Sequence, residues 1–317
     1  MWVAPLLYVC IFLIIAGGAY YTVMQDRNAF RNPSPGRPSV PVGLSQGRAS
    51  AANFAPINDV ETGLFQKALQ VGDVEAASLS LQKLRNKYRG HPAVHTAAGL
   101  LALAKRDFPL AREEAGEALR LVPDVPMARL ILAHADRMEL RFRDALPQYE
   151  WLVRRHPDSH EAWTGIGQCQ AGMGNPREGL KSVRRALEVN PVHGDAVNTA
   201  ISICLRLNDR KTAEAIFAKA LKTAPREPQL LLFYADYCDQ IEDFETSMTL
   251  VDRALEVMPG DPVCTVKKAR ALARIGNREE AVKTADAVLV VSSKHVQVNA
   301  LAGLVYQLCG RYERAVE

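Results

Sequence analysis

Two histidines four residues apart, His156 and His160, have the spacing of metal ligands on one helical face. Pro157 interrupts that face, so the pair reads as two surface histidines in a turn. His160-Glu161 opens like a zinc-protease helix, but Thr164 stands where the second imidazole is required. Gly174 and Gly179 have the interval of a phosphate-cradling loop, yet Leu180 replaces its lysine and helical patterns flank both sides. Cys169, Cys204 and Cys238 recur about once per 34 residues and read as small apolar packing groups before they read as a redox ladder. No nucleophile has a neighbouring base, and no carboxylate pair marks a pocket. The residues therefore predict no enzyme, with no catalytic residue, no cofactor and no metal site.

The elements that carry these residues come from a chain of ordinary folded composition: 317 residues, 48% hydrophobic, 23% charged, with 18 Pro and 20 Gly. That excludes a collagen, a disulfide scaffold and a wholly disordered chain. The net charge of +4 is local, because residues 1–57 hold Arg27, Arg31, Arg37 and Arg48 against Asp26 alone. Residues 58–317 carry 35 basic and 34 acidic side chains, too near balance for phosphate-backbone affinity, so nucleic acid is not an expected partner.

From Trp2 to Met24 there are 23 residues without a formal charge. A helix of that length reaches about 34 Å, enough for a hydrocarbon core of about 30 Å. The segment predicts a transmembrane anchor over residues 2–24, with Trp2 at one interface and Tyr20 and Tyr21 at the other. The competing reading is a signal peptide cut after Gly17-Gly18-Ala19. No Lys or Arg precedes the apolar run, which favours an uncut anchor. The arginines after the span place the body on the cytoplasmic side by the positive-inside rule, with the opposite side as the alternative. Residues 25–57, with Pro33, Pro35, Pro38, Pro41 and Pro56, predict a linker spanning about 30 Å.

The remainder is periodic. Pro123, Pro157, Pro191, Pro225 and Pro259 stand 34 residues apart, and Ala118-Leu119, Ala186-Leu187, Ala220-Leu221 and Ala254-Leu255 keep the same phase. With the proline at position 32, eight units run 58–91, 92–125, 126–159, 160–193, 194–227, 228–261, 262–295 and 296–317. Position 20 is small throughout: Ala77, Ala111, Ala145, Gly179, Ala213, Ser247, Ala281 and Ala315. Position 8 reads Phe65, Gly99, Ala133, Gly167, Ile201, Ala235, Ala269 and Gly303, with Phe65 and Ile201 as departures. Turn formers such as Gly72-Asp73, Gly174-Asn175, Asn208-Asp209 and Gly276-Asn277 separate two helices within each unit. Phe108, Phe142, Phe244 and Tyr312 follow those turns and are expected to cover them.

On this phase the chain resembles the tetratricopeptide repeat family. Unit 160–193 is nearest the family pattern, with Trp163, Ile166, Gly167, Val183, Ala186 and Pro191 at its marked positions. Arg89 and Ser293 stand where proline is expected, and Lys268 at a normally apolar position. The resemblance implies an all-α fold, a right-handed superhelix of antiparallel helix pairs preceded here by one transmembrane helix. It also implies a concave groove on the first helices that binds a protein or peptide partner through positions 2, 5, 9 and 12. Those positions supply Leu130, His134, Arg137, Gln168, Asn198, Ser202, Asp236, Asp239 and Arg270. A clamp for a partner's terminal carboxylate is not expected, since Asn198 is the one groove Asn in place and Thr164 stands where a basic residue is needed.

The layout of span, tether and array is similar to bacterial inner-membrane repeat proteins that organise envelope assembly. Glu317 is position 22 of its unit, so the chain is expected to be part of a longer protein, leaving Leu301, Leu304, Val305 and Ala315 uncovered. Two functions follow: a membrane-tethered adaptor, or the targeting module of a larger glycosyltransferase, protease or kinase whose catalytic part lies past residue 317.

Overall fold

The computed structural model describes residues 57, 59–292 and 295–316. The candidate span at 2–24 and the linker up to residue 56 lie outside them, as do Asn58 and Ser293. No helix among the described residues is long and apolar enough to cross a membrane.

The chain divides into two compact bodies at His156 and Pro157. The first holds three helix pairs: α1 (Val60–Val71) with α2 (Val74–Lys87), α3 (Pro92–Ala104) with α4 (Phe108–Leu121), and α5 (Pro126–Met138) with α6 (Phe142–Arg155). The second holds five: α7 (His160–Gly172) with α8 (Pro176–Val189), α9 (Gly194–Leu207) with α10 (Arg210–Thr223), α11 (Pro228–Gln240) with α12 (Phe244–Val257), α13 (Pro262–Arg274) with α14 (Arg278–Ser292), and α15 (Val296–Leu308) with α16 (Tyr312–Val316). Among the described residues there is no strand, and each 34-residue unit contains one pair.

The pairs form because every unit carries its own punctuation. Position 15 is left-handed in all eight units, as Gly72, Arg106, Leu140, Gly174, Asn208, Glu242, Gly276 and Gly310. Only a positive φ there lets the chain reverse between helices, and glycine adopts it without strain. The next residue caps the second helix: Asp73, Asp107, Asp209 and Asp243 accept from backbone N–H groups three residues on at 2.9, 3.1, 3.1 and 3.2 Å. Pro92, Pro126, Pro228 and Pro262 open first helices, where the missing N–H is no loss. Phe108 and Phe244 cover their turns under Arg106 and Arg274, whose guanidinium carbons lie 5.4 and 5.6 Å from the ring centroids. Tyr312 does not cover its turn and is 69% exposed.

Small residues at positions 8 and 20 set how closely each pair approaches, and those of the first seven units are buried. The approach is tightest in unit 160–193, where both are glycine. A methyl on Gly167 would stand 2.8 Å from the Gly179 carbonyl, and one on Gly179 would stand 2.6 Å from that of Gly167. Between pairs the core is apolar. In the second body Phe217 stacks on Tyr234 with ring centroids 4.3 Å apart, above buried Leu230, Leu231 and Val251. Burying a ring of that size contributes about 2–3 kcal/mol. Among the described residues each body carries one indole: Trp151 lies against the guanidiniums of Arg129 and Arg155 at 4.2 and 4.4 Å, and Trp163 donates to the Pro157 carbonyl at 2.8 Å.

The expected exposure of Leu301 and Val305 is not observed. Both are buried against Val266, Ala269 and Ala281, because that face of α15 points back at the preceding pair. Leu304 and Ala315 are half-buried.

Candidate partner groove

Each body presents a row of first helices, and the two rows differ in chemistry. In the first body, Leu130 is not a groove residue: it is 4% exposed and packs inside α5. Position 5 lies at the contact between first helices, and Thr96, Thr164, Leu232 and Val266 at the same position are buried too. Asn198 and Ala300 at this position are exposed and Thr62 is half-buried. His134 and Arg137 are half-buried neighbours, with the guanidinium Nη2 3.4 Å from the imidazole. Burial, with Arg137 and Arg106 nearby, pushes the His134 imidazole down to about 3, so it stays neutral.

In the second body the row is polar and internally tied. The Gln168 amide on α7 donates to the Thr199 hydroxyl on α9 at 2.9 Å. One unit further, Asn198 and Ser202 stand exposed on α9. On α11, Asp236 accepts from Lys267 and, at 2.8 Å, from Arg270, both on α13; Arg270 also pairs with Asp239. Burial pushes the Asp236 carboxyl up, but the facing Lys267 ammonium and Arg270 guanidinium outweigh it and hold the carboxyl below its ordinary value. The charged groove candidates Asp236, Asp239 and Arg270 are thus paired within the protein.

Lys267 was not among the expected groove residues, and neither was Thr199. A signal for both exists in the repeat. Gln168 to Thr199 and Asp236 to Lys267 are each steps of 31 residues, from position 9 of one first helix to position 6 of the next. A polar residue at one therefore asks for a partner at the other.

The remaining candidates are structural. His156 and His160 are half-buried and not surface groups, because one closes α6 and the other opens α7. The His160 ring lies 4.3 Å from that of His193, whose Nδ1 accepts from the Ala196 N–H and caps α9. Among the described residues no three His, Cys, Asp or Glu side chains are grouped to hold a metal. Cys169, Cys204, Cys238 and Cys264 are buried, and burial pushes the Cys204 thiol up to about 11 and the Cys238 and Cys264 thiols up to about 12. Gly174 supplies a turn and Gly179 a close helix approach.

The family model described as Tetratricopeptide repeat matches residues 96–135, 139–172 and 170–228. Cellulose synthase operon protein C of Pseudomonas fluorescens is 26% identical over 163 residues, which are 48% of this chain and 12% of that protein. DnaJ homolog subfamily C member 7 of Homo sapiens is 28% identical over 177 residues, 56% of this chain and 31% of that protein. The chain thus spans less than a third of the length of either. The crystal structure of yeast Tom70 superposes with a TM-score of 0.63 at 16% identity, covering 84% of this chain and 60% of that one, and shares the fold. Helix-pair stacks of this kind serve protein–protein interaction. The 34-residue period, the family match within residues 96–228 and the stacked helix pairs identify the repeats of this chain as tetratricopeptide repeats.

Proposed function

We propose that this chain is a membrane-tethered adaptor that holds a protein or peptide segment along the first helices of its second body, in the assembly of an envelope or membrane complex. One observation carries the reading most directly: Asn198 and Ser202 project from α9 between tied neighbours, Gln168 with Thr199 on one side and Asp236 with Lys267 on the other. Donors and acceptors fixed this way lose little freedom on binding, which suits recognition of an extended segment. His134 and Arg137 on the first body, with Asp239 and Arg270 on the second, are proposed as flanking contacts. The uncharged run at 2–24 supplies the tether.

A photo-crosslinking residue at Ser202 in the full chain is expected to capture a defined partner that the same residue at Thr249, on α12, does not. Asn198→Arg is expected to abolish the adduct. Equal capture at both positions would sink the groove assignment. Alkaline extraction tests the tether separately: the full chain is expected in the membrane pellet, and its release would point to a cleaved leader.

A further inference from the structure

The outward faces of two neighbouring second helices in the second body carry an excess of basic side chains, and the three lysines on one of them make no ion pair among the described residues. Arg184 on α8 donates to the Thr212 hydroxyl on α10 at 3.1 Å, which fixes the two helices side by side. Lys181, Arg184 and Arg185 on α8 and Lys211, Lys219 and Lys222 on α10 are all exposed. Of the acidic groups nearby, Glu178 takes Lys181 at 2.8 Å, Glu188 takes Arg185 at 2.8 Å and Glu214 takes Arg210 at 2.6 Å, while Asp209, near Arg184 and Lys211, caps α10 through the Thr212 N–H. Among the described residues no acidic side chain pairs with Lys211, Lys219 or Lys222, and exposed Ala215 and Ala218 lie between them. The α10 lysines run along one helix face about 16 Å long. Basicity is not a general property of second helices here, because α12 carries exposed Glu245 and Glu256, and its half-buried Asp252 pairs with Lys268.

From this geometry we infer that the α8–α10 face docks on an anionic lipid bilayer surface. Lysine set among alanines is poor material for a protein interface, which draws its energy from aromatic and arginine anchors in packed pockets and is depleted of lysine. The same composition suits a diffuse layer of phosphate and carboxylate headgroups, where each basic side chain near the surface contributes without needing a shaped pocket. Docking turns the polar first-helix row to one defined side of the membrane. The inference rests on the tethered reading, in which residues 25–57 join the chain to a bilayer.

The experiment uses the full chain with Cys10→Ser, Cys309→Ser and Ala215→Cys, the introduced thiol carrying an environment-sensitive dye. It is reconstituted in vesicles of phosphatidylcholine alone, or of phosphatidylcholine mixed with phosphatidylserine, each containing headgroup-quencher lipid. Quenching is expected on the mixed vesicles, weak on the neutral ones, and lost at about 0.5 M salt, where the Debye length has shrunk to a few ångströms. Each basic side chain near such a surface is worth about fivefold in partitioning, so Lys211→Glu with Lys219→Glu and Lys222→Glu is expected to weaken docking at least a hundredfold. A control of equal charge, Lys67→Glu with Lys105→Glu and Lys283→Glu, alters scattered exposed lysines and is expected to keep it. Equal quenching on both vesicle types, or equal loss in the two triple variants, overturns the proposal. Protection of the dye by an RNA oligonucleotide in place of vesicles overturns it in favour of nucleic acid. A chain that fails to float with neutral vesicles counts against the tether alone, and its addition to preformed mixed vesicles then reads the face directly.

Discussion

The Lys267 ammonium, on a side chain 4% exposed, donates to the Asp236 carboxylate of the preceding unit. Removing one member of such a pair strands the other in a dry site, which costs about 3–5 kcal/mol. Asp236→Ala is therefore expected to destabilise the second body by about 3 kcal/mol, since Arg270 keeps Asp239 while Lys267 keeps nothing of equal charge. Adding Lys267→Met to Asp236→Ala is expected to recover most of the loss. Urea unfolding of the single and double variants checks both, and a double variant no better than the single would show that the pair is not the cause.

The His193 cap makes α9 sensitive to acid. Burial lowers the imidazole below its ordinary value, so the folded state favours the neutral ring. Its contribution is full above the unfolded value of about 6.5 and is lost as pH falls below it. Amide exchange in the first turn of α9, corrected for its intrinsic rate, is expected to quicken as pH falls below about 6.5. His193→Asp keeps a side-chain cap of the kind that Asp261 provides at the start of α13, and is expected to remove that acceleration. An unchanged pH response in the variant would locate the titrating group elsewhere.

Gly167 and Gly179 face each other across α7 and α8. A methyl on Gly179 meets the Gly167 carbonyl, and one on Gly167 meets the Val183 Cγ2 methyl as well as the Gly179 carbonyl; the backbone carbonyls cannot turn aside. Gly167→Ala and Gly179→Ala are each expected to cost about 2–3 kcal/mol by forcing the pair apart. Gly116→Ala on α4, where a methyl meets nothing within 4 Å, is the matched control and is expected to stabilise slightly. Thermal melts of the three variants decide it.

Leu140 holds a left-handed backbone, φ 61°, with its side chain 72% exposed. A side chain gains nothing there and costs about 1–2 kcal/mol in that conformation. Leu140→Gly is expected to raise stability by about 0.5–1 kcal/mol once the flexibility of the unfolded chain is included. A lower denaturation midpoint would mean that Leu140 makes a contact its exposure conceals.

Much of the fold was legible because its punctuation is local. The period, the small residues at positions 8 and 20 and the glycine or asparagine at most turns are each read from a few adjacent residues. Arg106, Leu140 and Glu242 were not readable as turn residues, because there the packing of both helices imposes a positive φ that the side chain itself disfavours. The groove was less legible. Leu130 was placed by its position in the repeat, whereas its burial depends on the neighbouring first helix. Lys267 carried no expectation, because its partner lies 31 residues away in the chain. His91, His193 and His295 were unremarkable in the sequence, yet each caps a first helix through Nδ1.

Trp151 and Trp163 sit twelve positions apart in the chain but on opposite sides of the division between the bodies. Their surroundings differ as much as two indoles can: one lies against two cations, the other is fixed through its N–H to a carbonyl. The molecule thus carries a built-in optical reporter for each half. With Trp2 and either body indole replaced by phenylalanine, the emission that remains follows the unfolding of one body at a time, and shows whether the two halves melt as a single cooperative block or in succession.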